Sequence, residues 1–520
     1  MISHSMASGS GAEKGVFSRL YLELTDTLPA TLRENSGATP AAPGRTRESS
    51  VSRLWMKQPW APHPLRDVKG RLVRILSPGW MRGGSGPDFA GSIFQLEGRP
   101  PEKGDVEIHV HATDWTRHRH HKDPAYDSVR LHVVLYCDVK SKPRLTLSGG
   151  EPVELALDEA YPAWRAALRL EEGALPAKPD NKPGLGGCAR YFERIEEGKA
   201  ADILDAAGEG RLILKSERLA RDVREYSGET ALYLGLMEAL GYSSFSPMFR
   251  QLGQSLPLGF LRTMVDELDR RQRPVALEAA LLGMAGLLPE MDAATDDETG
   301  QYLARTLEAW GRMKAEFRLD PIYRRADWKL SGSRPANYPM GRLAGMAAFL
   351  ATNLGGSMET MFQRALSKLP RGGAAVEKQE WLAKLSGLFS PTVESYWATR
   401  HVVGGKRLSA PRALVSGDRV LLFMINMAIP FFISRATEIK DRKDEEELKA
   451  IAQALPRPAA NAVTKYMVAR LFGGKAPRGM LNAVRDQGLM QIYADFCHVD
   501  SGACHDCALA GYMEQLADMP

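Results

Sequence analysis

The sequence is poor in cysteine, nearly balanced in charge and without an apolar run long enough to span a membrane. Five cysteines in 520 residues cannot form a disulfide framework, so the fold must rest on its core. The net charge of +5 permits a nucleic-acid partner but does not argue for one. The longest apolar stretch, residues 420–433, contains Asn426 and Pro430 and falls short of the roughly 20 residues of a spanning helix. We therefore expect a buried core helix there and no membrane partner.

Several other signals are missing as well. The N-terminus has no basic segment followed by an apolar run, so we expect a cytoplasmic protein. The chain has no phosphate loop, no dinucleotide glycine fingerprint and no Gly-x-Ser-x-Gly elbow, which argues against nucleotide-binding and serine-hydrolase sites of those kinds. Its hydrophobic fraction of 44% and charged fraction of 25% are those of a globular protein, so disorder of the whole chain is excluded.

The periodicity of apolar residues divides the chain into three regions. Residues 1–50 are predicted to be a flexible N-terminal extension with a short helix, because residues 35–50 contain no large apolar side chain. Alternation of apolar and polar side chains between about residues 51 and 160 predicts an α/β domain, residues 51–190, with a mixed sheet flanked by helices. Residues 191–520 carry apolar side chains at spacings of three and four, which predicts a large all-helical domain ending in a cysteine-rich metal motif.

One predicted strand of the α/β domain, residues 105–111, carries four ionisable side chains on a single face. Side chains alternate along a strand, so Val106, Ile108 and Val110 point to a core. The other face carries Asp105, Glu107, His109 and His111. Two carboxylates beside two imidazoles indicate a divalent-metal site or an acid/base site. A charged outer face of an edge strand is the alternative interpretation.

Pro87 and Asp88 head a strand after a glycine-rich approach, Glu107 follows Asp88 by nineteen residues, and His109 lies two residues further on. This order resembles the PD-(D/E)XK nuclease signature, which implies that Asp88 and Glu107 hold Mg²⁺ or Mn²⁺. From the same polar face of the strand, we expect Asp105 to assist and His111 to be a further metal ligand. His109 stands where the superfamily has lysine, and we expect it to replace lysine as water activator. Residues 51–190 would then be a nuclease-like domain.

Histidines are concentrated around this strand. Six of the eleven histidines lie between positions 109 and 132. Residues 114–126 are predicted to form a short helix that crosses between two strands, and His118, His121 and Tyr126 on it can face the same cleft as Glu107. We expect His132, in an apolar strand, to satisfy a local hydrogen bond, and His120 to be solvated.

The cysteines near the C-terminus suggest a second metal site. Cys497, Cys504 and Cys507 have the spacing Cys-x6-Cys-x2-Cys, which offers three thiolates to one tetrahedral ion. His498 or His505 would complete a Zn²⁺ site. Cys188 is the other candidate for the fourth ligand, an arrangement similar to the iron–sulfur staples of some nucleases of the superfamily. Zn²⁺ and an iron–sulfur cluster both remain open, as does the alternative of three free thiols.

Several short segments spread along the chain form one set: Gly86-Pro87-Asp88-Phe89, residues 104–110, Asp114-Trp115, residues 131–134, residues 334–337, Gln487-Gly488 and the three C-terminal cysteines. With this set the chain resembles the bacterial domain of unknown function 2851 family. The resemblance spans roughly residues 51–515 and implies that these segments belong to one architecture. The family name carries no activity.

Three hypotheses of function follow from these residues. The first is a metal-dependent nuclease-like protein that cleaves phosphodiester bonds in nucleic acid, using Asp88, Glu107 and His109. The second is a catalytically degenerate module that binds nucleic acid or a protein, which the missing lysine favours. The third is a small-molecule metallohydrolase that uses His109 and His111 to hold zinc or iron.

Overall fold

The computed structural model of the chain describes most of the two predicted domains. The described residues are 48–60, 63–82, 86–139, 143–164, 185–328, 330, 338–370, 375–389, 395–497, 507, 509–510 and 513. The predicted helix before residue 35, most of the predicted linker, residues 334–337 and Cys504 lie outside these residues.

The N-terminal part of the described chain is built on one mixed sheet, as predicted from the period-two pattern. Its elements are α1 (Glu48–Lys57), β1 (Leu65–Arg66), β2 (Leu72–Ser77), β3 (Trp80–Met81), β4 (Phe89–Leu96), β5 (Glu102–His111), α2 (Asp114–Arg117), β6 (Val129–Tyr136), β7 (Val153–Ala156) and α3 (Leu157–Ala160). The strand order is β1-β2-β4-β5-β6-β7, and β3 pairs with β4. Pairing is antiparallel from β1 to β5 and parallel from β5 to β7.

The parallel pair β5–β6 requires a crossover, and residues 114–126 supply it. The segment is shorter in helix than predicted: α2 has four residues and is followed by two 3₁₀ turns, His120–Lys122 and Pro124–Tyr126. Pro124 at the start of the second turn and the carboxylate of Asp123, which accepts from the amide of Ala125, explain the interruption. The crossover packs on the sheet through Trp115, whose ring centroid lies 5.1 Å from that of His132 on β6.

Helix α1 covers the sheet and corrects the predicted limit of the N-terminal linker. Val51, Leu54 and Trp55 lie at helical spacing, are at most 1% exposed and join the core of the sheet with Val106 and Ile108. The helix begins at Glu48, inside the stretch predicted as linker up to residue 50, so that prediction was wrong for its last three residues. Burial of the apolar stripe stabilises the polar first turn ahead of it.

From residue 189 onward the described chain is helical, in agreement with the prediction. The helices are α4 (Ala189–Phe192), α5 (Glu197–Glu225), α6 (Gly228–Leu240), α7 (Tyr242–Ser255), α8 (Leu258–Asp266), α9 (Arg273–Met284), α10 (Asp297–Phe317), α11 (Pro339–Asn353), α12 (Met358–Ser367), α13 (Ala375–Gly387), α14 (Tyr396–Thr399), α15 (Gly417–Phe423), α16 (Ile429–Glu438), α17 (Arg442–Ala454), α18 (Ala462–Phe472) and α19 (Ala483–Ile492). Short 3₁₀ and π segments connect or extend several of them.

The long helix α5 packs closely against α19 because glycines face the contact. A Cβ atom at Gly208 would lie 2.2 Å from the carbonyl oxygen of Val484, and one at Gly488 would lie 2.1 Å from that of Leu204. No larger residue fits at either position without separating the two helices. This contact brings the C-terminal helix, and with it Gln487, against the first long helix of the array.

The apolar stretch 420–433 is a buried helix, as expected. Helices α15 and α16 are joined through a π segment, Met424–Ala428, that contains Asn426. Among the described residues, the continuous helix Gly417–Glu438 is the one that is long and apolar enough to cross a membrane. However, 72% of its most apolar segment is buried inside the protein. A buried core helix passes the same test, so the finding is weak evidence for a span.

Side-chain amides join the sheet to the helical array. Gln251 on α7 accepts a hydrogen bond from the amide of Met81 at 2.9 Å and donates one to the carbonyl oxygen of Gly79 at 3.2 Å. The hydroxyl of Tyr323 also donates to Gln251 at 2.7 Å. Strand β3, which pairs with the first residues of β4, is thereby attached to the helices.

Candidate functional site

Asp88 and Glu107 lie side by side where β4 begins and β5 passes it. The carboxylate of Asp88 accepts a hydrogen bond from the amide of Ile108 at 2.9 Å, and Glu107 Oε2 accepts one from the amide of Asp88 at 3.2 Å. Each residue thus positions the other through the backbone. The sequence-based prediction that these two carboxyl groups share a site depended on this proximity.

Two imidazoles lie near the second oxygen of Glu107, and a third lies beside one of them. Nε2 of His120 lies 3.1 Å and Nε2 of His109 lies 3.6 Å from Glu107 Oε1. His109 Nε2 is also 3.2 Å from His120 Nε2 and 3.2 Å from His118 Nδ1. One nitrogen from each of these histidines lies within 4.8 Å of the others, so the three could hold a metal ion. Glu107 therefore connects the carboxylate pair to a histidine cluster, which we define as His109, His118 and His120.

A buried relay of polar groups holds His109 from behind. His109 Nδ1 lies 2.9 Å from His132 Nε2, and His132 Nδ1 lies 3.0 Å from Glu154 Oε2. The register of the parallel strands places Glu154 on β7 directly beside His132 on β6, and His132 beside Glu107 on β5, two residues before His109. Arg144 at 3.3 Å from Glu154 Oε2, and the thiol of Cys137 donating to Oε1 at 3.3 Å, complete the surroundings of that carboxylate.

Burial gives the two carboxyl groups of the site a strongly altered affinity for protons. Desolvation, with the nearby charge of Glu107 as the second cause, raises the pKa of Asp88 to about 8. Desolvation likewise raises the pKa of Glu107 to about 8, although the hydrogen bond from the amide of Asp88 opposes the shift. When two acidic groups lie close together in a poorly solvated site, ionising both of them is unfavourable in free energy. A cation at the site would remove this penalty.

The pKa values of the imidazoles shift in the opposite direction, downward, and burial is again the main cause. Burial, followed by the neighbouring rings of His132, His120 and His118, lowers the pKa of His109 to about 2. Burial also lowers the pKa values of His120 and His132. For Glu154, burial raises the pKa, but the hydrogen bond from His132 and nearby charges outweigh it and the net shift is downward. The relay therefore consists of neutral imidazoles and one ionised carboxylate, and neutral imidazoles are the form that binds metals.

Aromatic rings form the walls of the site. Trp115 is 1% exposed, its ring centroid lies 5.5 Å from that of His120, and its indole nitrogen donates to the carbonyl oxygen of Leu145 at 3.1 Å. The ring of Tyr126 lies over His120 with a centroid separation of 3.8 Å. These apolar walls exclude water from one side of the histidine cluster and strengthen its electrostatic interactions.

The structure changes the expectations for individual histidines. His120 was predicted to be solvated, but it is 7% exposed and belongs to the cluster, because the second turn of the crossover folds it under Tyr126. His118 lies in the cluster as predicted, while its ring remains exposed on one side. His132 makes the expected local hydrogen bond, and that bond also supports His109. His121 is not part of the three-histidine group.

Asp105 and His111, two further predicted ligands, have other contacts. Asp105 accepts hydrogen bonds from the amide of Gly91 at 2.9 Å and from the hydroxyl of Ser128 at 2.7 Å. The ring of His111 stacks on Tyr136 with a centroid separation of 5.6 Å. Within the described part of the chain, neither residue has a contact with the histidine cluster, whereas Glu107 lies 3.1 Å and 3.6 Å from two of its members. We therefore assign the histidine cluster and the carboxylate pair, rather than the whole polar face of β5, to the site.

Glu48 is an acidic neighbour of the site that the sequence did not reveal. It is the first residue of α1 and is half-buried. Burial raises the pKa of Glu48, and the charges of His118, Asp114, Arg117 and His120 act on it. Its charge in turn contributes to the raised pKa values of Asp88 and Glu107. The helical spacing of Val51, Leu54 and Trp55 was the signal that could have placed Glu48 on a helix over the sheet.

The described cysteines of the second predicted site contact one apolar cluster. Cys188 is buried in this cluster, which is formed by α4, α5, α18 and α19, and Cys497 and Cys507 pack against it. Among the described residues these three cysteines do not form a group with ligand atoms close enough to hold one ion. Cys504, His498 and His505 lie outside the described residues, so the identity of any ion there stays a prediction.

The fold and the site together define an α/β sheet protein with a buried histidine–carboxylate cluster, followed by a large helical region. The chain belongs to the family described as protein of unknown function (DUF2851), whose model matches residues 48–460. This confirms the family resemblance; the matched residues begin with α1 and end before the C-terminal cysteines. Comparison with curated proteins and with solved structures gave no match.

Proposed function

We propose that the chain is a metal-dependent hydrolase of phosphodiester bonds with a PD-(D/E)XK-like, nuclease-like N-terminal domain. The observation that carries the proposal is the pairing of Asp88 and Glu107 on adjacent strands, with Glu107 directed at the same time toward the histidine cluster. Carboxylate oxygens and imidazole nitrogens suit divalent ions such as Mn²⁺. Mg²⁺ remains the alternative for the carboxylate pair.

The residues of the site can divide the work of such a reaction. A bound divalent ion polarises a phosphoryl oxygen and lowers the pKa of its water. Asp88 and Glu107 would position the ion. Without the ion the two carboxylates repel each other, and binding of the ion relieves this repulsion. Burial lowers the pKa of His109 to about 2, so its ring is neutral, and the contact of Nδ1 with His132 leaves Nε2 as the unprotonated nitrogen. Its place in the motif is that of the lysine, but its burial favours holding an ion over exchanging protons with bulk water.

A second candidate function is supported by the burial of the site. Glu107, His109 and His120 are buried, and His118 is the exposed member of the cluster. A closed site of this kind suits a small phosphoester better than a long strand. A small-molecule metallohydrolase that uses the histidine cluster is therefore the second proposal.

The experiment uses the full chain with Mn²⁺, Mg²⁺ or Zn²⁺. The substrates are labelled single- and double-stranded DNA and RNA, together with a chromogenic small phosphodiester. Glu107→Gln and Asp88→Asn are the test variants, and Glu102→Gln, an exposed position on the same strand, is the matched control.

Three results are distinguishable. Cleavage of a polynucleotide that disappears in Glu107→Gln but persists in Glu102→Gln supports the nuclease. Hydrolysis of the small diester alone supports the second proposal. Tight nucleic-acid or protein binding without any turnover would refute both and favour the degenerate binding module. A nucleic acid is the partner expected under the first proposal, and an ion at Cys188, Cys497, Cys504 and Cys507, either Zn²⁺ or an iron–sulfur cluster, remains a separate proposal.

A further inference from the structure

We propose that His109, His118, His120 and Glu107 form a four-coordinate site for a first-row transition-metal ion, with Zn²⁺ as the expected occupant. The inference concerns the composition of the site and holds whether or not the chain cleaves phosphodiesters. It replaces the hard cation expected from the acidic motif with an ion that prefers nitrogen ligands. It also makes His109 a ligand instead of a water activator.

The spacing of the donor atoms matches such an ion. With metal–ligand bonds of about 2.0–2.1 Å, the edge of a tetrahedron is about 3.4 Å long. The four measured separations are 3.1 Å and 3.6 Å from Glu107 Oε1 to His120 and His109, and 3.2 Å from His109 Nε2 to each of His118 and His120. These values lie on both sides of the expected edge, and the nitrogens of the three histidines lie within 4.8 Å of one another, so one ion can reach all three rings. Glu107 Oε1 adjoins two of these nitrogens and is the fourth ligand of the proposal.

Hydrogen bonds alone cannot account for the same contacts. A neutral imidazole nitrogen offers either one hydrogen or one lone pair. His109 Nε2 can therefore accept from His118 or from His120, and His120 Nε2 can donate to Glu107 or to His109. At most two of the four contacts are hydrogen bonds at any time. A cation, in contrast, uses all four donor atoms together.

The relay behind His109 sets the correct tautomer for this role. Glu154 is a carboxylate, so His132 Nδ1 donates to it and His132 Nε2 is left as an acceptor. His109 Nδ1 must then donate to His132 Nε2, which leaves the lone pair of His109 Nε2 directed at Glu107 and the other two rings. A carboxylate that orients a metal-binding histidine through its second nitrogen is a common support for zinc ligands. Here one more imidazole lies between them.

The backbone between the other two histidines is strained in a way that serves the site. Arg119, which separates His118 from His120, is in the left-handed region with φ of 64°. The side chain of Arg119 is exposed and does not require this conformation. A residue with a Cβ atom adopts the left-handed region only at a cost in free energy. The left-handed turn ends α2 and brings two rings separated by one residue to the same point. Such strain is expected where two neighbouring side chains must bind one ion.

The ligand types then select the metal. Three imidazoles and one carboxylate suit zinc, iron, nickel or copper, whereas Mg²⁺ requires oxygen ligands and six-coordinate geometry. Zn²⁺ is the ion that most often takes a four-coordinate site of this composition.

The test measures metal binding without reference to activity. The full chain is stripped with a chelator and titrated with Co²⁺, whose visible absorption is intense in tetrahedral sites and weak in octahedral ones. His118→Gln is the main variant, because His118 is exposed and its replacement opens no cavity in the core. His121→Gln, at a half-buried histidine three residues away and outside the group, is the matched control. Zn²⁺ is then added to displace Co²⁺.

We expect the wild type and His121→Gln to show the intense tetrahedral spectrum and to lose it when Zn²⁺ is added. His118→Gln should lose the intensity while its circular dichroism remains unchanged. Co²⁺ bound at the C-terminal cysteines would show thiolate charge-transfer bands and would be unaffected by His118→Gln, so the two sites are separable. A weak octahedral spectrum in the wild type, or an intense one that survives in His118→Gln, would overturn the inference. Since no substrate is involved, neither result depends on the nuclease proposal.

Discussion

Replacement of Glu107 by Gln is expected to stabilise the metal-free protein. The folded-state pKa of Glu107 is about 8, well above its ordinary value of 4.5, because the folded chain buries the carboxyl group. A folded pKa raised above the unfolded one means that stability is highest below pH 4.5 and falls as the pH rises toward 8. Gln keeps the size of Glu and an oxygen for the amide of Asp88, but it has no proton to lose.

The size of the effect follows from the pKa difference. Each pH unit between the two pKa values lowers the free energy of unfolding by about 1.4 kcal/mol. Between pH 4.5 and pH 7 the carboxyl group of Glu107 therefore costs the folded state about 3 kcal/mol, as an upper value because Asp88 titrates with it. Glu107→Gln should recover most of this amount at neutral pH.

The assay is urea unfolding of chelator-treated protein between pH 5 and pH 9, with Glu102→Gln as the control on the same strand. The variant and the wild type should have similar stability near pH 5, and the variant should be increasingly more stable as the pH rises. Saturating Zn²⁺ should reverse the order, since only the wild type keeps the carboxylate ligand. A variant less stable than the wild type at pH 7, or two parallel pH curves, would refute the argument about burial.

Three further predictions concern other parts of the molecule. Asp222→Asn should lower the free energy of unfolding by about 2–3 kcal/mol at pH 7, because the carboxylate forms two hydrogen bonds with the buried guanidinium of Arg250. Burial alone raises the pKa of Asp222, but Arg250 and other cations lower it to about 2. The difference in free energy of unfolding between the wild type and Asp222→Asn should therefore shrink as the pH falls from 3.8 toward 2. A difference that does not change with pH would contradict the ion pair. Glu154→Gln should weaken Co²⁺ binding roughly 10–100-fold in a spectroscopic titration, and unchanged affinity would exclude the relay. Gly488→Ala should lower the thermal unfolding midpoint through a clash worth about 1–3 kcal/mol, and an unchanged midpoint would show that the helices can separate.

The sequence predicted the broad architecture because that architecture depends on local periodicity. Alternation along β5 correctly separated Val106 and Ile108, which face the core, from Glu107 and His109, which face the site. Spacings of three and four correctly indicated the helical region. The N-terminal limit was wrong by three residues at Glu48, because the first turn of α1 is polar and its helix forms only when Trp55 and its neighbours pack on the sheet.

The carboxylate pair was also within reach of the sequence. Asp88 at the head of one strand and Glu107 on the next lie close together in any sheet that pairs these strands. The roles of Asp105 and His111 were not predictable in the same way. Alternation placed them on the same face as Glu107, but their contacts with Ser128 and Tyr136 depend on β6 and the turn that precedes it, which are distant in sequence.

The sequence by itself determined the fold classes of the two regions, the polar face of β5 and the proximity of Asp88 to Glu107, since all of these follow from side-chain periods and from the pairing of strands near in sequence. Only the tertiary structure decided that His118 and His120 join His109. Their meeting depends on the left-handed backbone at Arg119 and on how the crossover lies over β5 and β6. Only the parallel register of β5, β6 and β7 aligns Glu107, His132 and Glu154. Parallel pairing joins segments separated by a crossover, and no local pattern records which residues it places opposite one another.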